Sequence, residues 1–365
     1  MNRPRVSARF PDFPWDTIAA AKQRAGEHPD GIVDLSIGTP VDPTPAVARE
    51  ALVAASDAHG YPTVLGPHAV RQAAADWLAR SLAVRVDADA VLLTVGSKEL
   101  IANLPTQLGL GPADTVVIPS LAYPTYEVGA RYAGARVVVG DPVADEMSEA
   151  ASLVYLNSPA NPHGQVLDAD HLRAVVRWCR ERGALLVSDE CYAEFGWDAQ
   201  PVSVLHPDVC GGSHGGLLAV HSASKRSNLA GYRAGFVAGD PELVGELLAV
   251  RKHLGFMVPT PVQHALAAAL ADDEHVELQR RRYAERRDAL RRALEGAGFT
   301  IGHSEASLYL WATRGEPCRD TIDWLAERGI LAAPGDFYGE AGSHHVRIAF
   351  TATDERIAAA VARLA

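Results

Sequence analysis

Between residues 91 and 238, short and continuously apolar segments alternate with longer segments of helical periodicity. Apolar runs without polar alternation are typical of strands that are buried on both faces, as in parallel sheets covered by helices. Helical segments separate most of the runs, for example at 98–108, 124–133 and 168–182. The pattern predicts an α/β fold with a mostly parallel, seven-stranded sheet between helices. Its predicted strands are Val91–Val95, Thr115–Pro119, Arg136–Val139, Leu153–Asn157, Ala184–Ser188, Leu217–His221 and Ala234–Ala238.

The rest of the chain predicts a second, smaller α+β unit. A long helix at 274–297 carries many basic residues, but acidic residues are interspersed among them, which indicates a solvated face rather than a nucleic-acid site. Further strands are predicted at 32–38, 308–312, 330–333 and 346–350, and further helices at 17–28, 47–56, 68–83, 321–328 and 354–364. We therefore divide the chain into an N-terminal arm (1–16), a large domain (43–270) and a discontinuous small domain (17–42 and 271–365).

The charge balance argues against two classes of partner. With 34 basic and 45 acidic residues the chain has a net charge of −11, so we expect neither nucleic acid nor an anionic membrane as the main partner. The 4 cysteines lack C-x-x-C spacing, and no metal site or disulfide framework is expected. No apolar run reaches the length of a membrane span, and the N-terminus lacks the apolar region of a signal peptide. We expect a cytoplasmic enzyme or binding protein.

Lys225 lies in the stretch LLAVHSASKRSNLAGYRAGFVAG (217–239), directly after a predicted buried strand. Burial lowers the pKa of a lysine and makes its amine a usable nucleophile toward an aldehyde. Ser222 and Arg233, on either side of Lys225, offer donors that suit a phosphate. The stretch therefore indicates a Schiff-base lysine beside a phosphate site. Taken alone, it is more typical of a surface lysine and arginine on a loop between two strands.

Other predicted strands also end in residues with a chemical use. Gly96 and Ser97 open a helix, whose N-terminal N–H groups attract phosphate, although a Gly-Ser turn is also an ordinary helix cap. Asp189 could likewise cap a helix, or it could lie opposite a ring nitrogen and favour the protonated ring. Tyr123 could offer an aromatic face to a flat cofactor. Because ligands collect at the carboxyl ends of parallel strands, we expect these groups at one site.

In their order and spacing, these motifs resemble the class I/II pyridoxal-phosphate aminotransferases of fold type I. The likeness extends from about residue 13 to the C-terminus. It implies the fold type I architecture, with a mostly parallel seven-stranded large domain plus a smaller α+β domain, and pyridoxal 5′-phosphate (PLP) as the cofactor. It is carried by VGSKEL (95–100), LAYPTY (121–126), NSPANPHG (157–164), SDECY (188–192) and Lys225 with Ser222 and Arg233.

Carried over to this chain, the resemblance implies a set of cofactor contacts. Lys225 would bind the cofactor aldehyde and later move the proton of the reaction, and Asp189 would pair with the pyridine nitrogen. Tyr192 and Asn161 would hydrogen-bond the phenolic oxygen of the cofactor, and Tyr123 would stack on its ring. The phosphate would be held by Gly96, Ser97, Lys98 (through its backbone N–H), Ser222 and Arg233.

The resemblance also implies substrate contacts and a homodimer. Arg347 matches an arginine that grips the substrate α-carboxylate, and Gly38 and Asn161 match residues beside that carboxylate. Tyr61 matches a tyrosine that reaches the phosphate of the neighbouring subunit, so each site would be built by two chains. His163 departs from the family, which usually has threonine there, but this departure leaves Asn161 in place.

Within the family, several segments are most similar to the N-succinyldiaminopimelate aminotransferases of the actinobacterial lysine pathway. The expected reaction is a ping-pong transfer between glutamate/2-oxoglutarate and N-succinyl-2-amino-6-oxopimelate, which yields N-succinyl-LL-2,6-diaminopimelate. Arg251, Lys252 or the N-terminal arm could bind the far carboxylate. The segments are FPWDTIAAAK, DLSIGTPVDP, SDECY, AVRKHLGFMVPTPVQ, YLWATRGEPCRD and PGDFYG.

The alternatives are of two kinds: a different reaction on the same fold, and a protein of another class. Another amino-acid aminotransferase or a C–S β-lyase would keep the fold and the cofactor but change the reaction. A PLP-binding regulator would carry a DNA-binding domain ahead of this fold, which here begins within about forty residues. A dinucleotide-binding dehydrogenase would have a G-x-G-x-x-G turn after a strand, and the sequence has none there.

Overall fold

The computed structural model describes residues 10–145, 147 and 150–365, so residues 1–9 of the predicted arm lie outside the described part. The strands are β1 (Val33–Asp34), β2 (Val91–Thr94), β3 (Thr115–Ile118), β4 (Arg136–Val139), β5 (Leu153–Asn157), β6 (Leu185–Asp189), β7 (Leu217–Ser222), β8 (Gly235–Gly239), β9 (Thr300–Gly302), β10 (Tyr309–Thr313), β11 (Ile330–Leu331), β12 (Ala333–Pro334) and β13 (Val346–Ala349).

The helices follow the predicted segments closely where the sequence is amphipathic. They are α1 (Ala19–Gly26), α2 (Ala46–Ala54), α3 (His68–Leu82), α4 (Ser97–Gln107), α5 (Thr125–Ala133), α6 (Ala169–Arg182), α7 (Pro207–Cys210), α8 (Ala223–Arg226), α9 (Pro241–Leu254), α10 (Thr260–Ala271), α11 (Glu274–Gly296), α12 (Cys318–Glu327) and α13 (Asp354–Leu364). Asp168 caps α6 by accepting from the backbone N–H of His171. Helix α10 was not predicted, because its nearly uniform apolar sequence shows no polar face; it packs against α2 and α3.

The large sheet confirms the fold expected from the alternating pattern. Its strand order is β2-β8-β7-β6-β5-β3-β4, and all neighbours run parallel except β8, which is antiparallel to both β2 and β7. The register pairs Asn157 with Asp189, and Asp189 with Val220. The carboxyl ends of β5, β6 and β7 therefore meet at one edge, and the segments that follow them converge there.

The smaller sheet, of order β12-β13-β10-β9, is antiparallel, and β1 and β11 form a separate parallel pair. These pairings correct two predicted strands. The strand predicted at 330–333 is split, because Ile330–Leu331 pairs with β1 whereas Ala333–Pro334 pairs with β13. The strand predicted at 32–38 is reduced to β1, since its ladder with β11 spans two residues. The extent of both strands is decided by pairing with segments that are distant in the sequence. The local periodicity of the sequence carries no information about such pairing.

The buried apolar residues form separate clusters on the two faces of the large sheet and around the smaller sheet. Ile18 and Ala21 of the N-terminal segment belong to the cluster around the smaller sheet. The division into domains at 43 and 270 stays a prediction. Of the helices in the described part of the chain, none is long and apolar enough to cross a membrane.

Candidate active site

A cavity of about 370 Å³ opens where β6 and β7 end. Its wall also includes residues that were not predicted from the sequence, among them Trp15, Ile37, Cys191 and Tyr309. The fold thus brings together residues from both sheets and from the N-terminal segment. The predicted site residues that line it are Gly38, Ser97, Lys98, Tyr123, Asn161, Asp189, Tyr192, Ser222, Lys225, Arg233 and Arg347.

Lys225 lies on α8, the single turn of helix that follows β7. Ser222, the last residue of β7, caps this turn by accepting from the backbone N–H of Ser224 at 3.1 Å. The Lys225 ammonium donates to the backbone carbonyl of Gly38. Burial lowers the pKa of Lys225 below its ordinary value, so its neutral, nucleophilic form is more accessible than that of a surface lysine.

The start of α4 and Arg233 form one group of hydrogen-bond donors. Gly96 has φ +73°, and a Cβ at this position would lie 2.3 Å from Nη2 of Arg233, so only glycine lets the guanidinium approach the helix start this closely. Arg233 itself is fixed by donation from Nη1 to the carbonyl of Ala230 at 2.9 Å. Ser222 and the free N–H groups at Ser97 complete an anion-binding arrangement.

Asp189 ends β6 and is a buried carboxylate. Its Oδ2 accepts from the Tyr126 hydroxyl at 3.0 Å, and its Oδ1 accepts from the backbone N–H of Cys191 at 3.2 Å. Burial raises the pKa of Asp189, and no ion pair to it occurs among the described residues. A buried acid without a cation is costly, so the site suits a ligand that brings a protonated nitrogen to this carboxylate.

Two tyrosines meet deeper in the cavity. The hydroxyls of Tyr192 and Tyr309 are hydrogen-bonded at 2.9 Å, and both side chains are buried. Tyr123 lies on the wall, and its ring is perpendicular to that of Tyr126 at 6.1 Å. Neither Tyr126 nor Tyr309 was singled out from the sequence. The only local signal was their presence in the quoted segments LAYPTY and YLWATRGEPCRD.

Arg347, on β13, forms the opposite end of the cavity. Its Nη1 donates to Oδ1 of Asn161 at 2.8 Å and its Nη2 donates to the carbonyl of Ser36 at 2.6 Å. Nε has no hydrogen-bond partner among the described residues. The guanidinium carbon lies 4.0 Å from the ring centre of Tyr309 and 5.1 Å from that of Tyr338. An oriented, buried guanidinium of this kind suits a carboxylate ligand.

Three side chains considered for binding lie outside this cavity, those of Tyr61, Arg251 and Lys252. Tyr61 is 97% exposed and does not line the cavity of its own chain. Arg251 was a candidate for binding the far carboxylate, and its burial makes that interpretation wrong. Its Nη1 and Nη2 donate to the carboxylate of Glu99 at 2.9 and 2.8 Å, and its side chain is fully buried. Because Glu99 lies in the first turn of α4, Arg251 instead braces the helix whose start faces the cavity.

The sequence profile described as aminotransferase class I and II matches residues 30–364. The chain belongs to the class I and II aminotransferases. Its match to that family spans both sheets, and every cavity residue named above except Trp15 falls within it.

Proteins similar to this aminotransferase are themselves named as aminotransferases or transaminases. A probable aminotransferase of Mycobacterium tuberculosis is 64% identical over 360 residues, which cover 98% of this chain and 86% of that protein. The 4-dedimethylamino-4-oxo-anhydrotetracycline transaminase OxyQ of Streptomyces rimosus is 63% identical, with 97% and 99% covered. Among solved structures, an aspartate aminotransferase mutant of Thermus thermophilus superimposes with a TM-score of 0.89 at 25% identity, covering 100% of this chain and 99% of the other.

The cofactor of this family is PLP, and the cavity fits it. The donors at Gly96–Ser97 and Arg233 match a phosphate, and the buried carboxylate of Asp189 matches a pyridinium nitrogen. Burial lowers the pKa of Lys225, which favours the neutral amine that bonds to an aldehyde. When bound, PLP supplies an electron-withdrawing ring that stabilises negative charge on the substrate carbon.

Proposed function

We propose that this aminotransferase exchanges an amino group between glutamate/2-oxoglutarate and N-succinyl-2-amino-6-oxopimelate, in a ping-pong reaction that yields N-succinyl-LL-2,6-diaminopimelate. This would be a step of lysine and diaminopimelate biosynthesis. The similarity of six sequence segments to enzymes of that type supports the choice of acceptor. Both substrates carry a carboxylate next to the reacting carbon, and that group is the one the cavity is best suited to bind.

The observation that carries the proposal is the position of Arg347 in the same cavity as Lys225. Its guanidinium is held by Asn161 and by the carbonyl of Ser36, so its orientation is set before a substrate arrives. In our proposal the substrate α-carboxylate binds Arg347 near the backbone of Gly38, which directs the neighbouring carbon toward the amine of Lys225.

In the proposed reaction, the predicted residues bind the cofactor or move the proton. Lys225 would hold the cofactor through its aldehyde, and its amine, once free, would accept the proton of the substrate α-carbon at Nζ and return it later in the reaction. Asp189 would hold the ring nitrogen protonated, and Tyr123 would cover the ring face. Tyr192 and Asn161 donate to the phenolic oxygen. The phosphate contacts are those of Gly96, Ser97, Lys98, Ser222 and Arg233.

We further propose a cytoplasmic homodimer with shared sites. The exposure of Tyr61 supports this, because a tyrosine that is 97% exposed on the free chain is available to a neighbouring subunit. Exposed apolar side chains occur nearby in sequence, at Ile37, Val41 and Val53. An interface that covered them would remove apolar surface from water.

A second candidate acceptor is favoured by the relative OxyQ, whose name describes a transaminase of 4-dedimethylamino-4-oxo-anhydrotetracycline. At 63% identity over nearly both whole chains, a related ketone is a reasonable alternative to the succinylated 2-oxo acid. A C–S β-lyase, the remaining alternative, would release pyruvate and ammonia rather than transfer nitrogen.

The test is a comparison of substrates with the purified, PLP-loaded protein. We expect N-succinyl-LL-2,6-diaminopimelate with 2-oxoglutarate to give glutamate with a higher kcat/KM than alanine, aspartate or unsuccinylated LL-diaminopimelate. Faster amination of the 4-oxo-anhydrotetracycline would instead support the second candidate. Stoichiometric pyruvate and ammonia from cystathionine, without glutamate formation, would support the lyase.

A further inference from the structure

Tyr309 contacts both ends of the active site, although no role was assigned to it. From β10 its ring packs against the Arg347 guanidinium, with 4.0 Å between the guanidinium carbon and the ring centre. Its hydroxyl is bonded to that of Tyr192 at 2.9 Å. A Cβ on Gly38 would lie 2.4 Å from the Tyr309 hydroxyl, so this hydroxyl is held against the backbone that accepts from Lys225.

We propose that Tyr309 is a positioning residue that orients the Tyr192 phenol toward the cofactor and holds the Arg347 guanidinium in the plane that receives the substrate carboxylate. The inference rests on the proposed roles of Tyr192 and Arg347. One side chain would thereby couple the geometry of the cofactor end to that of the carboxylate end.

The hydroxyls of Tyr192 and Tyr309 are 2.9 Å apart, and either of them can donate to the other. The titratable groups facing Tyr309 come from several elements and include Arg347, Lys225, Tyr192 and Cys191. Burial raises the pKa of Tyr309, but the positive charges of Arg347 and Lys225, together with the hydrogen bond to Tyr192, lower it below its usual value. Burial and the neighbouring Tyr309 raise the pKa of Tyr192. In our proposal Tyr309 donates to Tyr192, in keeping with the positive charges beside Tyr309. The Tyr192 hydrogen is then left free for the phenolic oxygen of PLP.

When Tyr192 accepts a hydrogen bond from Tyr309, its own hydroxyl becomes a stronger donor toward the cofactor. A hydrogen bond from Tyr192 to the cofactor phenolic oxygen favours the deprotonated form of the enzyme–cofactor complex. Removing the Tyr309 hydroxyl therefore weakens that hydrogen bond and raises the pH at which the visible absorption band changes. Removing the ring as well takes away the surface against which Arg347 packs, and that loss affects substrate binding.

The experiment compares Tyr309→Phe and Tyr309→Leu in the PLP-loaded enzyme. For Tyr309→Phe we expect the spectroscopic pKa of the visible band to rise by about half a unit to one unit, with the KM for glutamate changed less than about twofold. For Tyr309→Leu we expect the same spectroscopic shift and, in addition, an increase in KM of roughly 2- to 30-fold. Tyr283→Phe is the matched control, because it also removes a buried tyrosine hydroxyl from the core around the smaller sheet but lines no part of the cavity.

A wild-type spectroscopic pKa in Tyr309→Phe overturns the role toward Tyr192, and an unchanged KM in Tyr309→Leu overturns the role toward Arg347. Equal shifts in the Tyr283→Phe control would show a general effect of core substitution and would also overturn the inference. The spectroscopic titration uses no acceptor substrate. The affinity for glutamate is measured in the half-reaction with the PLP-loaded enzyme, which also uses no acceptor. An incorrect acceptor under the proposed function therefore leaves this test intact and is recognised separately in the substrate comparison.

Discussion

The phenolic hydroxyl of Tyr126 donates to the carboxylate of Asp189 at 3.0 Å, inside the core of the large sheet. Tyr126 is itself fixed by Tyr155, whose ring stacks on it at 4.9 Å with an angle of 17° between the planes. This hydrogen bond favours the charged form of the carboxylate, whereas burial disfavours it. Tyr126 therefore helps to keep Asp189 ionised and aimed at its ligand.

The first prediction is that Tyr126→Phe weakens this support without removing the cofactor. Loss of a hydrogen bond to a charged group corresponds to about 1.5–3 kcal/mol, so we expect the half-reaction with glutamate to slow by roughly 10- to 100-fold. Asp189→Asn should retain PLP and slow the same half-reaction far more. Stopped-flow absorbance measures both rates, and near-normal rates in Asp189→Asn would contradict the role of the carboxylate.

The second prediction concerns Lys225. The purified enzyme should show a visible absorption band that survives dialysis and disappears with borohydride, because the cofactor aldehyde is bonded to an amine. Lys225→Ala should lack this band and lose catalysis. Lys252→Ala, a change to an exposed lysine on α9 that does not line the cavity, should retain the band. A wild-type spectrum in Lys225→Ala would mean that another amine bonds the cofactor.

The third prediction concerns the carboxylate end. Arg347→Ala removes a guanidinium that is 3% exposed and bonded to Asn161. We expect kcat/KM for glutamate to fall by about 100-fold or more, because two charge-assisted hydrogen bonds to the substrate carboxylate are lost. Arg347→Lys should recover little, since an ammonium cannot reproduce the planar fork. An unchanged apparent affinity for glutamate in Arg347→Ala would contradict the assignment.

The fourth prediction concerns stability and pH at the junction between Asp42 and α11. Nη1 and Nη2 of Arg286 donate to the two carboxylate oxygens of Asp42 at 2.7 and 2.8 Å, and Gln279 donates to it at 2.7 Å. Although burial raises the pKa of Asp42, these hydrogen bonds lower it below its ordinary value of 3.8. Because the folded state binds this proton more weakly than the unfolded state, the stabilisation is present above the ordinary pKa and is lost as the pH falls through the folded value.

We therefore expect Asp42→Asn to lower the free energy of unfolding by about 1–3 kcal/mol near neutral pH. In this variant Arg286 keeps its ion pair with Asp354 at 2.6 Å. The expected loss of unfolding free energy is therefore smaller than for a buried ion pair whose remaining charge has no partner. Urea unfolding between pH 7 and about pH 2 measures the difference between variant and wild type, because the stabilisation is lost only below the ordinary pKa of 3.8. The difference should shrink toward the acidic end, and a constant difference would exclude ionisation of Asp42 as its source.

The sequence by itself determined the large sheet and the parts of the site that follow its strands. Continuous apolar runs can be buried only between layers, and the carboxyl ends of parallel strands must lie at one edge. The pattern of the chain alone therefore places Gly96, Asp189 and Lys225 near one another. The motif order then indicated the family and PLP.

Only the tertiary structure decided what the remaining side chains contact. Arg251 has the charge needed to bind a substrate carboxylate, but its helix packs against α4. There both of its terminal nitrogens donate to the carboxylate of Glu99. From the sequence, Tyr309 is typical of an aromatic core residue on a strand. Its hydroxyl becomes part of the site because β10 pairs with β13, the strand that carries Arg347. Periodicity reports which face of an element is buried, whereas the partner met on that face depends on segments far away in the chain.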